Sequence, residues 1–396
     1  MTTFGRAIAA GRRRLRELDE RFSRRHGGRR ILIDARTPVN YTIVAPVVRA
    51  LEADPRIEIS FTASEEPRRL AQIYHEAPRV RTIHPRLAAL KKFDAYVTSD
   101  FMWSTLPRGT RRVQVFHGVA GKYGFDAPDR DMLRGWDRYF FVNARRLRNY
   151  LATGALAPDS PAIRLTGMPK VDCLVDGTLQ REPVLASLGL DPARPTVLYA
   201  PTWSPASSLN ALGAELISAL CRMPANVIVK LHDRSRDVRT RYSGGVDWVR
   251  RLRPLLPKGR AALAPGHDIS PYLVAADLMI TDHSSAGFEF LLRDRPLVRI
   301  HRPQLIQLAN IHRDYVSLLA SASQSVCDVP DTLAAVERGL ANPEALGAER
   351  RRVASELFYQ PGGATARSVE ALYELLELAP SPEVTMRLEA PCPLSA

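Results

Sequence analysis

The chain has no segment approaching the 18 or more consecutive apolar residues of a membrane-spanning helix, which excludes a helical integral membrane protein. No apolar h-region ahead of a small-residue cleavage site opens the sequence, so a cytoplasmic location is expected. Cysteine is sparse: Cys173, Cys221, Cys327 and Cys392 are scattered, with no CxxC or CxxH pairing. That pattern argues against a zinc site and against a disulfide framework, and no metal or other cofactor is expected. No self-similar period of solenoid length is present. No aromatic-plus-basic recognition motif accompanies the basic residues, so nucleic acid is not an expected partner.

What is abundant is positive charge. Lys and Arg number 56 against 42 Asp and Glu, a net charge of +14, which implies an acidic partner. Residues 1–30 hold ten Arg against Glu17, Asp19 and Glu20, half of the excess. Within residues 1–29, Phe4, Ile8, Leu15, Leu18 and Phe22 fall near helical spacing, as in a basic amphipathic helix. Such a helix suits an anionic lipid surface, which would place the protein peripherally on the inner face of the cell membrane. The plainer alternative is a helix that is solvated or packed on its own domain.

At 396 residues the chain is long enough for two domains with separate cores. From about residue 30, short apolar runs alternate with amphipathic stretches. Strands are expected at Ile31–Ile33, Ile57–Phe61, Ala95–Val97, Val113–Phe116, Tyr139–Val142 and Ile163–Leu165. A second set is expected at Thr196–Ala200, Val227–Leu231, Leu278–Thr281 and Leu297–Ile300. Helical patterns fall between them, and alternation of this kind indicates parallel sheets with crossover helices. The expected architecture is α/β, with two doubly wound Rossmann-like domains facing a central cleft. The boundaries read as a basic N-terminal segment over 1–29, a first domain over 30–176 and a second over 177–378. A Pro-rich tail over 379–396 is expected to be disordered.

In open parallel sheets, ligands bind where strands end and helices begin. The run Leu278-Met279-Ile280-Thr281-Asp282-His283-Ser284-Ser285 has that form. Ser284 and Ser285 offer hydroxyls to phosphate at a helix N-terminus, and Glu289 lies one turn on, in reach of ribose hydroxyls. An ordinary Asp/Ser helix cap reads the same way. Val113–Phe116 ends in His117-Gly118, followed by Lys122. An imidazole beside glycine at a strand end suits general-base work, though a lone strand-end His is more often a structural hydrogen-bonder. Lys122 offers a point charge to phosphate unless it is simply solvated. Lys170, in Thr166-Gly167-Met168-Pro169-Lys170-Val171-Asp172, is a further candidate in what first reads as a turn. Thr202 offers a hydroxyl and Trp203 a stacking surface, although buried Trp is commonly core. Lys230-Leu231-His232-Asp233-Arg234 closes another strand, and His232 is expected to donate to a diphosphate, as imidazolium if a nearby anion raises its pKa. Asp129-Arg130-Asp131 imitates a metal-binding DxD but sits in a Pro- and Arg-rich loop, where a solvated turn is the simpler reading.

Taken in order, five segments resemble the CDP-glycerol glycerophosphotransferase family of teichoic-acid primases and polymerases. They are Phe116-His117-Gly118, Thr166–Lys170 with Asp172, Leu198-Tyr199-Ala200-Pro201-Thr202-Trp203, Lys230-Leu231-His232, and Ile280-Thr281-Asp282-His283-Ser284-Ser285. The resemblance implies a glycosyltransferase-B-like fold and metal-independent transfer of glycerol phosphate from CDP-glycerol to an acceptor hydroxyl, lipid-linked or on glycerol phosphate, with release of CMP. It implies a base at His117 and a diphosphate site at His232, Thr281, Asp282, Ser284 and Ser285. Thr202, Trp203, Lys230 and Glu289 are expected to complete donor binding, with Trp203 near the cytosine, and Gly118, Lys122 and Lys170 are further candidates. The sequence departs from the family pattern at His283, where Tyr is usual, at Val119-Ala120, where Thr-Pro is usual, and at Met168 and Val171. A UDP-sugar glycosyltransferase or epimerase on the same scaffold is one alternative; a non-catalytic adaptor is another.

Overall fold

The computed structural model describes residues 28–77, 81–124 and 130–389, with Gly11, Arg14, Glu17 and Asp19. It divides into two compact units. The first is built from Met1–His117, Pro128–Asp172 and Tyr359–Cys392, the second from Gly118–Ala127 and Cys173–Phe358.

The first unit carries six strands: β1 (Arg29–Asp34), β2 (Ile57–Thr62), β3 (Ala95–Thr98), β4 (Arg111–Val115), β5 (Arg138–Phe141) and β6 (Ile163–Leu165). They form one sheet in the order β2-β1-β3-β4-β5-β6, with every pair parallel. The inner strands are largely buried, as helices cover both faces of a parallel sheet, although β4 carries Arg112 and Gln114 and β1 ends in Asp34. Thr37 begins the helix Pro38–Leu51 by accepting the Asn40 N–H, with Pro at its first position. That helix buries Ile43, Val44, Val47 and Val48. Complete burial of one such side chain is worth about 1.5–3 kcal/mol.

The second unit repeats the plan with β7 (Thr196–Tyr199), β8 (Asn226–Val229), β9 (Ala261–Leu263), β10 (Leu278–Thr281), β11 (Leu297–Ile300) and β12 (Gln324–Val326). Its order is β12-β11-β10-β7-β8-β9, again parallel throughout. Val197, Tyr199, Val227, Leu278 and Ile280 from the strands close a core with Leu209, Leu216 and Leu220 of the helix Ser208–Leu220. The ten expected strands are present, with ends shifted by at most two residues. The edge strands β9 and β12, three residues each, were not expected.

The chain divides elsewhere than at the expected 30–176 and 177–378. After Phe358 it returns to the first unit, where the helix Ala364–Leu376 packs on Pro38–Leu51. Asp172 secures the return: its carboxylate accepts N–H groups of Gly362 (2.8 Å), Ala364 (3.1 Å) and Thr365 (2.7 Å). Gly167, at φ +85°, lies where a Cβ would stand 2.6 Å from the Tyr359 carbonyl oxygen. The segment expected to be a disordered tail instead contains a helix over Pro382–Glu389, held by buried Val384. Residues 390–396 lie outside the described residues.

Most of residues 1–29 also lies outside them. Gly11, Arg14, Glu17 and Asp19 are helical, and Asp19 accepts bonds from the Arg30 guanidinium (2.8 Å) and the Lys92 N–H (2.7 Å). At that point the segment is tied to the first unit. Among the described residues no helix is long and apolar enough to cross a membrane.

Candidate functional site

His117 follows β4 in the first unit, half-buried. Its Nδ1 lies 2.5 Å from the Ser99 carbonyl oxygen. A carbonyl only accepts, so Nδ1 carries the hydrogen and Nε2 keeps its lone pair. Burial lowers the imidazole pKa below its usual value, aided by Arg146 and Lys170 and opposed by Asp100 and the Ser99 contact. His117 is therefore neutral near pH 7, with a free basic nitrogen. Lys170 is buried in the 3-10 turn Pro169–Leu174 and acts on His117 through its charge.

His232 shows the reverse arrangement at the end of β8. Its Nδ1 accepts the Arg234 N–H at 3.1 Å and caps the short turn Asp233–Arg236, which places the hydrogen on Nε2. Burial lowers its pKa to about 4, with Arg234, Lys122 and Lys230 adding to the shift and Asp233 opposing it. The imidazolium form considered from sequence is thus disfavoured. The neutral ring donates through Nε2–H instead. Asp233 is engaged by the His267 ring at 2.6 Å.

The Thr281–Ser285 turn separates into two parts. Thr281 donates its hydroxyl to the Ala200 carbonyl (2.7 Å), tying β10 to β7. Asp282 is fully buried and accepts the Thr202 N–H (2.8 Å), the Ser208 N–H (3.0 Å) and the Ser208 hydroxyl (2.9 Å). Both residues were expected to touch the donor; here they position the loops after β7 and β10. His283 is also buried, held by the Arg302 N–H at Nε2 (3.4 Å) and through its carbonyl by the Tyr315 hydroxyl (3.2 Å). Ser284 is half-buried and Ser285 exposed, and both remain accessible to a ligand. The helix they open, Ala286–Leu291, is only six residues long, so its dipole contributes little. Glu289 is buried on it, within electrostatic reach of Tyr315.

Lys230 is buried too, and its ammonium donates to the Pro265 (3.2 Å) and Gly266 (2.5 Å) carbonyls. It fixes the turn after β9. Thr202 is buried with its hydroxyl 3.4 Å from the Lys122 ammonium. Gly118 and Lys122 belong to the segment that leaves His117 and joins the second unit, where the His312 N–H donates to the Lys122 carbonyl at 2.9 Å. Trp203 is half-buried and bears the Arg234 guanidinium over its ring at 4.4 Å. Sequence reasoning assigned Arg234 no role; a basic residue two positions after a strand-end His was the available signal. Of Asp129-Arg130-Asp131, Asp129 lies outside the described residues and Asp131 pairs with Arg134 at 3.3 Å.

The sequence model of the CDP-glycerol:poly(glycerophosphate) glycerophosphotransferase family matches residues 45–374. The chain belongs to this family. Among solved structures it is similar to the wall teichoic acid polymerase TagF, at 13% identity over 91% of this chain and 90% of that one, with a TM-score of 0.65. It is also similar to a UDP-N-acetylglucosamine 2-epimerase, at 16% identity over 90% and 98%, with a TM-score of 0.56. MnaA of S. aureus, solved with UDP, gives 14% identity over 89% and 98%, with a TM-score of 0.55. At such identities these likenesses establish the fold, which is α/β and glycosyltransferase-B-like. No curated protein matches the chain.

Proposed function

We propose that the protein transfers a glycerol-phosphate unit from CDP-glycerol to an acceptor hydroxyl, lipid-linked or on glycerol phosphate, and releases CMP. The observation that carries this reading is the family match over residues 45–374, and the hydrogen placement on one neutral histidine in each unit is consistent with it. His117 presents a lone pair and His232 presents an N–H. Phosphoryl transfer to an alcohol needs one group of each kind.

The acceptor hydroxyl gives its proton to Nε2 of His117 as its oxygen attacks the β-phosphorus of CDP-glycerol. The new P–O bond forms while the bond to the bridging oxygen breaks, and that oxygen leaves on CMP. His232, Ser284 and Ser285 meet the charge that grows on the departing phosphate. Positioning and electrostatic stabilisation supply most of the rate enhancement in such reactions. The electrons and proton balance without an added cofactor. Family membership supports the donor class, and the resemblance supports a role in teichoic-acid-like polymer synthesis. An anionic membrane surface, met through residues 1–29, suits the lipid-linked acceptor.

The test is nucleotide release from CDP-glycerol, CDP-ribitol and UDP-sugars, with and without a lipid-linked or glycerol-phosphate acceptor. The expected result is acceptor-dependent CMP from a CDP-polyol. UDP from a UDP-sugar would replace this reading with glycosyl transfer or epimerisation. Silence from all donors in a folded protein that binds none would point to an adaptor.

A further inference from the structure

Among the described residues, Lys122 and Arg234, both acting on His232, have no acid partner. The Lys122 ammonium has Thr202 Oγ1 at 3.4 Å and the Tyr123 and Tyr315 rings at 5.9 and 5.7 Å, but forms no ion pair among the described residues. Asp282, the nearest opposing charge to act on it, has its oxygens occupied by Thr202 and Ser208. The Arg234 guanidinium is likewise without a carboxylate among the described residues. It lies over Trp203 at 4.4 Å and Tyr242 at 5.3 Å, and these two rings meet edge to face at 5.6 Å. The two cations share neighbours, since Thr202 and Trp203 are consecutive and both charges act on His232. Arg350, Arg181 and Arg36, by contrast, are each paired with Asp or Glu.

Holding an unpaired ammonium away from water is unfavourable, as its pKa, lowered to about 8 by burial, records. The arrangement becomes favourable when an anion arrives. An aromatic shelf also limits the rotamers of an arginine and leaves its N–H edge free to bind phosphate in a bidentate manner.

We propose that Lys122 and Arg234 form a clamp for the diphosphate of the donor, with Trp203 serving as the shelf that orients Arg234. A diphosphate diester carries one negative charge on each phosphate, matching one cation apiece. This deepens the proposed function and rests on its donor site. It also changes the task of Trp203, which acts through Arg234 rather than by packing on the cytosine. Lys122 lies five residues beyond His117 in the chain, whereas Arg234 follows β8.

Inorganic pyrophosphate separates the clamp from nucleobase recognition. Binding of pyrophosphate and of CDP-glycerol is measured by calorimetry for the wild type, Lys122→Met, Arg234→Met and Trp203→Ala. Each methionine variant is expected to weaken both ligands by about 10- to 100-fold, as loss of a charge-assisted contact does. Trp203→Ala is expected to weaken pyrophosphate as well, which a role confined to the base would not do. Lys122→Arg should restore much of the loss. The ligand-free Lys122→Met protein should unfold at the same temperature as the wild type or higher; a lower midpoint would mark the ammonium as structural and overturn its part. Failure of the wild type to bind pyrophosphate, or equal binding by the methionine variants, overturns the clamp. Clamp-dependent pyrophosphate binding with no CMP release from any CDP-polyol would keep the clamp and remove the glycerol-phosphate reading. Acceptor-dependent CMP release with undiminished binding by both variants would do the reverse.

Discussion

The carboxyl ends of the two sheets solve the placement of charge in different ways. In the first unit, Asp34 and Arg36 have partners within the unit. Asp34, buried at the end of β1, accepts the Tyr96 (2.7 Å) and Ser104 (3.1 Å) hydroxyls and the Ser64 N–H (3.0 Å). Arg36 is tied to Glu65 (2.6 Å) and Asp100 (2.9 Å). What remains open among the groups discussed there is one lone pair, on His117. In the second unit the carboxylates are the groups already engaged, Asp282 by backbone and serine and Asp233 by His267, while Lys122 and Arg234 are left over. On the proposed reading, one edge accepts a proton and the other an anion. A parallel sheet offers the same geometry at both edges, so the division of labour resides in side chains.

The largest effect is expected from removing the proton acceptor. His117→Ala should lower transfer by about 10²- to 10⁴-fold, the usual worth of one proton-transfer group. CDP-glycerol affinity, measured by calorimetry, should not change, because the proposed donor site lies in the second unit. An equal loss of donor affinity would break the division.

Asp172 and Asp282 come next, because each buried carboxylate accepts three hydrogen bonds from another part of its unit. Replacing either with Ala should cost about 3–5 kcal/mol, the range for opening a buried charged network. The two should differ in their second readout. Asp172→Ala should lower the denaturant midpoint and leave donor affinity intact, whereas Asp282→Ala should lower both, since it orders Thr202 and the turn before Ser284. Gly167→Ala should have a smaller but clear cost of about 2–3 kcal/mol in the same unfolding assay, from strain at positive φ and the approach of the Tyr359 carbonyl.

These positions also show what could be read from the sequence. The inner strands were legible because burial on both faces makes them largely apolar runs. The edge strands β9 and β12 were not, since three residues carry too little pattern. His117, His232, Ser284 and Ser285 stood out as polar groups closing apolar strands. The conformation of the Thr166–Asp172 motif was not legible: its Gly and Asp serve a chain segment nearly 200 residues away, and sequence spacing holds no record of that. Thr281, Asp282 and Lys230 were equally opaque, because a residue that binds a ligand and one that holds the loop beside it use the same chemistry. Which ring nitrogen carries hydrogen depends on the Ser99 carbonyl and the Arg234 N–H, so it could emerge only from the fold.

The smallest effect separates the two units by their response to acid. In the second unit, burial holds His232 at about 4 and His283 at about 3, both below the ordinary 6.5. Between those values the unfolded chain binds protons that the folded unit does not, so stability rises with pH and is lost as pH falls below 6.5. The slope cannot exceed about 1.4 kcal/mol per pH unit for each histidine, and partial exposure of His232 reduces its share. His301 of the second unit is lowered too; among the described residues of the first unit the histidine so lowered is His117, and that unit also holds two carboxylates of opposite sign. Burial raises Asp34 and Asp172 above the ordinary carboxylate value of 3.8. A carboxylate with a raised folded pKa binds a proton before the unfolded chain does, so acid favours the folded state through that window. Lowering the pH from 7 to 5 should therefore weaken the second unit more than the first. Hydrogen exchange at the two pH values, corrected for intrinsic rates, should show protection falling further in β7, β8 and β10 than in β1, β3 and β4. His232→Gln should flatten the response of the second unit alone. Equal loss in both sheets would mean that the acid response does not follow the contrast between their edges.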